Sequence, residues 1–171
     1  RSAKKKTYRY SVYFSRRENP LLERYAVRFG ESPDFARMGE CARLLEGEHD
    51  FAAFSSTGSS VKTTVRTVYS VETAPWADEY AEGVLGVHIE VCGGGFLYNM
   101  VRIMAGAILE CGTGKLPLSA VEEALCTGDR ELLGKTMPAK GLTLLSVDYG
   151  FPLFNGEYSG GAARTAPANK E

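Results

Sequence analysis

A chain of 171 residues, 44% of them hydrophobic, has enough apolar side chain for one packed domain and enough length for that domain plus a tail. Its 20 basic and 21 acidic residues leave a formal charge of −1, which excludes a uniformly basic nucleic-acid-binding surface and allows only a local patch. The four cysteines, Cys41, Cys92, Cys111 and Cys126, form no CxxC pair, and neither His49 nor His88 stands at ligand spacing from them. That pattern argues against a zinc site and for a reducing, cytoplasmic setting.

The opening RSAKKKTYRYSVYF is basic, lacks the apolar stretch of a signal peptide and does not start with methionine, so it reads as a fragment that begins near a strand. TYRYSVYF, residues 7 to 14, alternates and predicts that strand, with Tyr8 and Tyr10 on one face. ENPLLER reads as a loop, and RYAVRF as a short extended piece. ESPDFARMGECARLLEGE predicts a helix capped by Ser32, with Pro33 in its first position and Asp34 at its positive end. Phe35, Met38, Cys41, Ala42 and Leu45 supply its apolar face, and Gly47 its stop.

HDFAAF is a short aromatic segment, and SSTGSSVK a polar loop. TTVRTVYSVE predicts a strand with one bulge, because strict alternation cannot turn Val65, Val68 and Val71 the same way. TAPWADEYAEG reads as a long hairpin connection into VLGVHIEVC, whose Leu85, Val87, Ile89 and Val91 share a face opposite Val84, Gly86, His88 and Glu90. After Gly93–Gly95 an apolar helix is predicted over Leu97 to Cys111, too short for a membrane span and interrupted by Asn99 and Arg102. PLSAVEEALCTGD predicts a second amphipathic helix, starting near Pro117 or Ser119. LTLLSVDY, residues 142 to 149, predicts a last strand, and the Gly/Ala/Ser-rich residues 152 to 171 read as a disordered tail. This order predicts an α+β domain over residues 1 to 151, with a mostly antiparallel mixed sheet and helices packed on one face.

Arg102 is the residue that calls for a partner, since a guanidinium among Met100, Val101, Ile103 and Met104 is costly to leave unpaired. A local Glu or Asp, or solvent, would satisfy it structurally; a catalytic carboxylate or a phosphate would satisfy it functionally. Tyr8 and Tyr10 fit either a core aromatic pair or a stacking surface for a base. Lys4, Lys5, Lys6, Arg9, Arg16 and Arg17, with Lys62 and Arg66, fit either solvated charge or contacts to a phosphate backbone. The glycine run matches no phosphate-loop fingerprint and reads as close packing or a bulge. His49 with Asp50, and His88 within a strand, read as structural.

Five segments in register resemble the C-terminal domain of the tRNA pseudouridine synthase A family. They are KKTYRY, LLEGEHDFAAF, SSVKTTVRTV, GGGFLYNMVRIMAGAILECGTGK and KGLTLLSVDYGFP, and the match runs in order over most of the chain, from about Ala3 to Tyr149. The resemblance implies a pseudouridine synthase-like fold and an isomerase that converts uridine to pseudouridine in the tRNA anticodon arm. It implies no metal or redox cofactor, a homodimer in the cytoplasm, and no membrane. The family's nucleophilic aspartate sits in a G-R-T-D-A-G type loop of an N-terminal domain. These 171 residues hold no such loop, and CTGDREL is not a match, so the resemblance implies that they do not turn over alone. It makes Arg102 the partner of that aspartate and Tyr8 the residue beside the target base. It places Lys6, Arg9, Lys62, Arg66, Phe96 and Asn99 on the RNA. Asn99 departs from the histidine of many members, and Lys62 from their arginine, which keeps the charge but loses the planar fork. A non-catalytic RNA-binding module with the same sheet is the alternative.

Overall fold

In the computed structural model, which describes residues 3–56, 61–77 and 85–150, the strand β1 (Lys5–Phe14) is paired along both edges. On one edge it runs antiparallel to β5 (Leu85–Gly93). On the other it meets β2 (Val27–Phe29) in parallel at Val12–Phe14 and β6 (Leu142–Asp148) antiparallel at Lys5–Tyr10. Beyond β5 lie β4 (Val65–Ala77) and then β3 (Gly47–Asp50), both antiparallel to their neighbours. Among the described residues three α-helices accompany the sheet: α1 (Phe35–Leu44), α2 (Met100–Gly112) and α3 (Leu118–Thr127). The α+β class and the mixed, mostly antiparallel sheet are as the sequence predicts. The expected tail, residues 57–60 of the expected polar loop and residues 78–84 of the expected hairpin connection lie outside the described residues.

Strand alternation makes two faces with different fates. Tyr10, Val12, Val87, Ile89 and Val91 all face the helices and are fully buried among Met38, Met100, Ile103, Met104 and Ile108. The opposite face carries a small second core in which Tyr13 packs with Leu22, Ala26 and Trp76. The predicted bulge is present: the β4–β5 register shifts between Val68 and Ser70, so both Val68 and Val71 are buried while Tyr69 between them is exposed. Val65, before the shift, stays exposed.

Four local expectations need correction. The cap of α1 is Asp34, not Ser32; its Oδ1 accepts from the backbone N–H groups of Ala36 at 2.8 Å and Arg37 at 3.3 Å. The helix also ends before Gly47, which opens β3 with a φ of +102°. Strand β4 continues to Ala77 instead of turning at Glu72. Pro75 is tolerated because β3 covers the outer edge of β4 only from Val65 to Val68, so a missing N–H further on breaks no ladder. Finally, α2 begins at Met100 rather than Leu97, because Asn99 is in the left-handed region with φ 63° and ψ 6°.

Candidate active site

Helix α2 is apolar nearly all round and is packed on almost every side, with only Arg102 and Glu110 of its residues reaching intermediate exposure. Arg102 thus leaves a hydrophobic helix near its first turn. Its guanidinium meets two neutral acceptors: Nε donates to the Met137 carbonyl oxygen at 2.6 Å, and Nη1 donates to Asn99 Oδ1 at 2.7 Å. Those bonds use two of the five N–H donors of an arginine. Among the described residues the ion pairs are Arg9–Glu90, Lys115–Glu31 and Lys140–Glu23, so no carboxylate neutralises Arg102. Of the partners open to it in the sequence, a local Glu or Asp is therefore not the one taken.

The Arg102 side chain lines a cleft of about 290 Å³ together with Tyr8, Phe96, Asn99, Ala139 and Leu142. Tyr8 and Phe96 meet edge to face, with centroids 5.3 Å apart and an interplanar angle of 89°. Tyr8 stands at the end of the buried row of β1, where the strand passes from core to cleft wall, so it is only half-buried. Tyr10, on the same face as predicted, is fully buried instead, and its hydroxyl donates to the Pro138 carbonyl oxygen at 2.6 Å. Burial pushes the Tyr10 hydroxyl well above its ordinary value against the opposing pull of the Arg102 guanidinium, which keeps it a neutral donor.

The predicted basic group is divided by the sheet. Alternation puts Lys6 on the face of Tyr8, and Arg66 lies along the glycine run, its Cδ 3.9 Å from where a Cβ on Gly95 would stand. Lys62 is exposed just before β4. Arg9, however, is on the opposite face, where its Nε and Nη2 donate to Glu90 Oε1 at 2.9 and 2.6 Å, so the fold does not bring it to the cleft. His49 is held by the Glu46 carbonyl oxygen at 2.7 Å, Asp50 accepts from the Ala52 N–H at 3.0 Å, and His88 contacts Ser11 Oγ at 3.2 Å beneath a stacked Trp76. All three have structural partners. Among the described residues no group of three His, Cys, Asp or Glu side chains comes together as a metal-binding cluster.

Two contributors escape the sequence reading. One is the segment 134–138, whose carbonyl groups reach both Arg102 and Tyr10. Its approach depends on Gly106: a Cβ there would stand 2.7 Å from the Lys135 carbonyl oxygen. The other is Ser56, whose hydroxyl accepts from Asn99 Nδ2 at 2.9 Å. A glycine one turn after Arg102 on its own helix face is the only local trace of the first; the second leaves none.

A protein-family profile described as tRNA pseudouridine synthase matches residues 41–150. Among curated proteins, the tRNA pseudouridine synthase A of Shouchella clausii is 42% identical over 158 residues, which is 92% of this chain and 58% of that protein. The tRNA pseudouridine synthase A of Syntrophotalea carbinolica is 44% identical over 148 residues, 86% of this chain and 56% of that protein. That of Bacillus subtilis is 39% identical over 148 residues, 86% of this chain and 57% of that protein. The chain thus spans between 56% and 58% of the length of these relatives.

Proposed function

This chain belongs to the tRNA pseudouridine synthase family, and on that footing we propose that it binds the tRNA anticodon arm and completes the active site of an isomerase making pseudouridine from uridine. In this reaction the bond from the ribose to N1 of uracil breaks, the ring turns, and a bond from the ribose to carbon 5 forms. The carbon-5 proton leaves and N1 gains one. The nucleophile is an aspartate outside these 171 residues.

The single observation that supports this reading is Arg102: a half-buried guanidinium, anchored among the described residues only to neutral acceptors, on the wall of an aromatic cleft. A carboxylate arriving there gains a charge-assisted pair in a region of low dielectric, which keeps it ionised and aimed. The edge-to-face pair of Tyr8 and Phe96 forms the wall against which a flipped-out uracil stacks. In this reading Tyr8, which lines the same cleft, assists removal of the carbon-5 proton. Lys6, Lys62 and Arg66 meet phosphates of the arm, while Asn99 lines the cleft. The protein acts in the cytoplasm as a homodimer whose subunits share the tRNA. Among the described residues no helix is long and apolar enough to cross a membrane.

The test is Arg102→Lys in the complete protein that carries this chain, measured by tritium release from tRNA labelled at uracil carbon 5. Lysine keeps the charge but cannot hold the Met137 carbonyl, Asn99 and a carboxylate in one plane. Turnover should fall by about 10²-fold or more while the melting temperature changes little. Turnover within about twofold of the parent would refute the anion-holding role of Arg102.

A further inference from the structure

Asn99 is the one residue other than glycine among the described residues with a positive φ, at 63°. Such a backbone is sparsely populated by residues other than glycine, and it persists where the surroundings over-determine it. Asn99 occupies the capping position of α2, yet its side chain caps nothing on the backbone. Its amide is committed elsewhere: Oδ1 accepts from Arg102 Nη1 at 2.7 Å, and Nδ2 donates to Ser56 Oγ at 2.9 Å. An arginine has donors only, so the amide can take just this orientation. Ser56 is fixed in turn, its backbone N–H donating to the Tyr98 carbonyl oxygen at 3.2 Å.

The guanidinium is therefore gripped from two directions, by Asn99 at Nη1 and by the Met137 carbonyl at Nε. With Nε engaged, an incoming anion cannot take the Nε–Nη2 edge as a bidentate pair and must meet the terminal nitrogens. Both grips are uncharged. An aspartate at position 99 would have nearly the same shape and tolerance for this backbone, but it would neutralise the cation it positions.

Resting on the reading of Arg102 given above, we infer that Asn99 is a positioning residue, a neutral acceptor that aims the Arg102 guanidinium at the nucleophilic carboxylate without quenching its charge. The Ser56 hydroxyl locks the amide that does so.

Two substitutions in the complete protein test this. Asn99→Gly keeps the left-handed backbone at lower strain and removes the acceptor. It should lower kcat about tenfold with the KM for tRNA changed by less than about twofold, and without lowering the melting temperature. Asn99→Asp should fold equally well and lose more of kcat than Asn99→Gly, because it supplies a competing carboxylate. Asn99→Asp turning over within about twofold of the parent would overturn the inference, as would a loss in Asn99→Gly that merely follows its folded fraction. A second measurement separates this inference from the reading it rests on. Acetate is titrated into the chain, and the side-chain N–H signals of Arg102 are followed by NMR. The parent should shift and saturate, and Asn99→Asp should not respond. An inactive parent enzyme would refute the proposed function, whereas an equal acetate response in parent and Asn99→Asp would refute the positioning role by itself.

Discussion

Replacing Gly106 by alanine sets helix propensity against packing. In a solvated helix the change stabilises by about 1 kcal/mol. Here the new Cβ would stand 2.7 Å from the Lys135 carbonyl oxygen and 3.5 Å from Met137 Cγ. The nearer contact is backbone, so no side-chain rotation relieves it. Nor is the segment free to drift: the Met137 N–H donates to the Arg102 carbonyl oxygen at 3.4 Å, its own carbonyl holds Arg102 Nε, and Arg130 Nη2 holds Thr136 Oγ1 at 3.2 Å. Overpacking of this kind costs about 1–3 kcal/mol, and pushing the Met137 carbonyl off a charged donor forfeits about 1.5 kcal/mol more. Against the propensity gain, a net loss of about 2 kcal/mol remains, or about 5 °C in melting temperature for a domain of this size. Thermal and urea denaturation of the chain, followed by circular dichroism, measure it. A Gly106→Ala protein more stable than its parent by about 1 kcal/mol would show that the segment yields freely and that its closeness to α2 does not hold Arg102 in place.

Three further outcomes follow from the same geometry. Tyr10→Phe removes the hydroxyl that donates to the Pro138 carbonyl and should cost about 1 kcal/mol in urea unfolding; an unchanged midpoint would mean water replaces the bond without loss. Burial, with the Arg9 charge second and against the pull of Glu90, holds the His88 imidazole below its ordinary value of 6.5. Below about pH 6.5 the unfolded chain therefore takes up a proton that the folded chain resists, so stability falls with falling pH, and His88→Gln should flatten that slope in denaturation series across the range. Arg66→Ala should lower the salt dependence of tRNA binding by about one phosphate contact, whereas Arg9→Ala should leave it unchanged because Glu90 already neutralises Arg9 on the other face; equal effects in filter binding would place both on the RNA.

Much of this architecture is legible in short-range pattern. The period of two in β1 and β5 announces which residues enter the core, and three valines out of phase announce a bulge where the register does shift. The same alternation already separates Arg9 from Lys6 and Tyr8, so the division of the basic residues between the two faces is itself legible in the sequence. The boundaries were harder. Asp34 and Ser32 are equally good caps as residue types, and only the N–H groups they face distinguish them. Strand β4 outlasts its sequence signal because pairing with β5 compensates for a proline that local propensity counts against.

By itself the amino-acid sequence determined that α2 is an apolar helix carrying an arginine in need of a partner, and that Tyr8 and Tyr10 share a strand face. Periodicity is a property of neighbouring residues, so it survives without the fold. Only the tertiary structure decided what holds that arginine: a carbonyl 35 positions away and an asparagine whose amide is locked by Ser56, 43 positions away. It also decided that Tyr10 is sealed in the core while Tyr8 opens onto the cleft. Contacts of that separation depend on which strand edges pair and how closely a loop can approach a helix, and no local pattern encodes either.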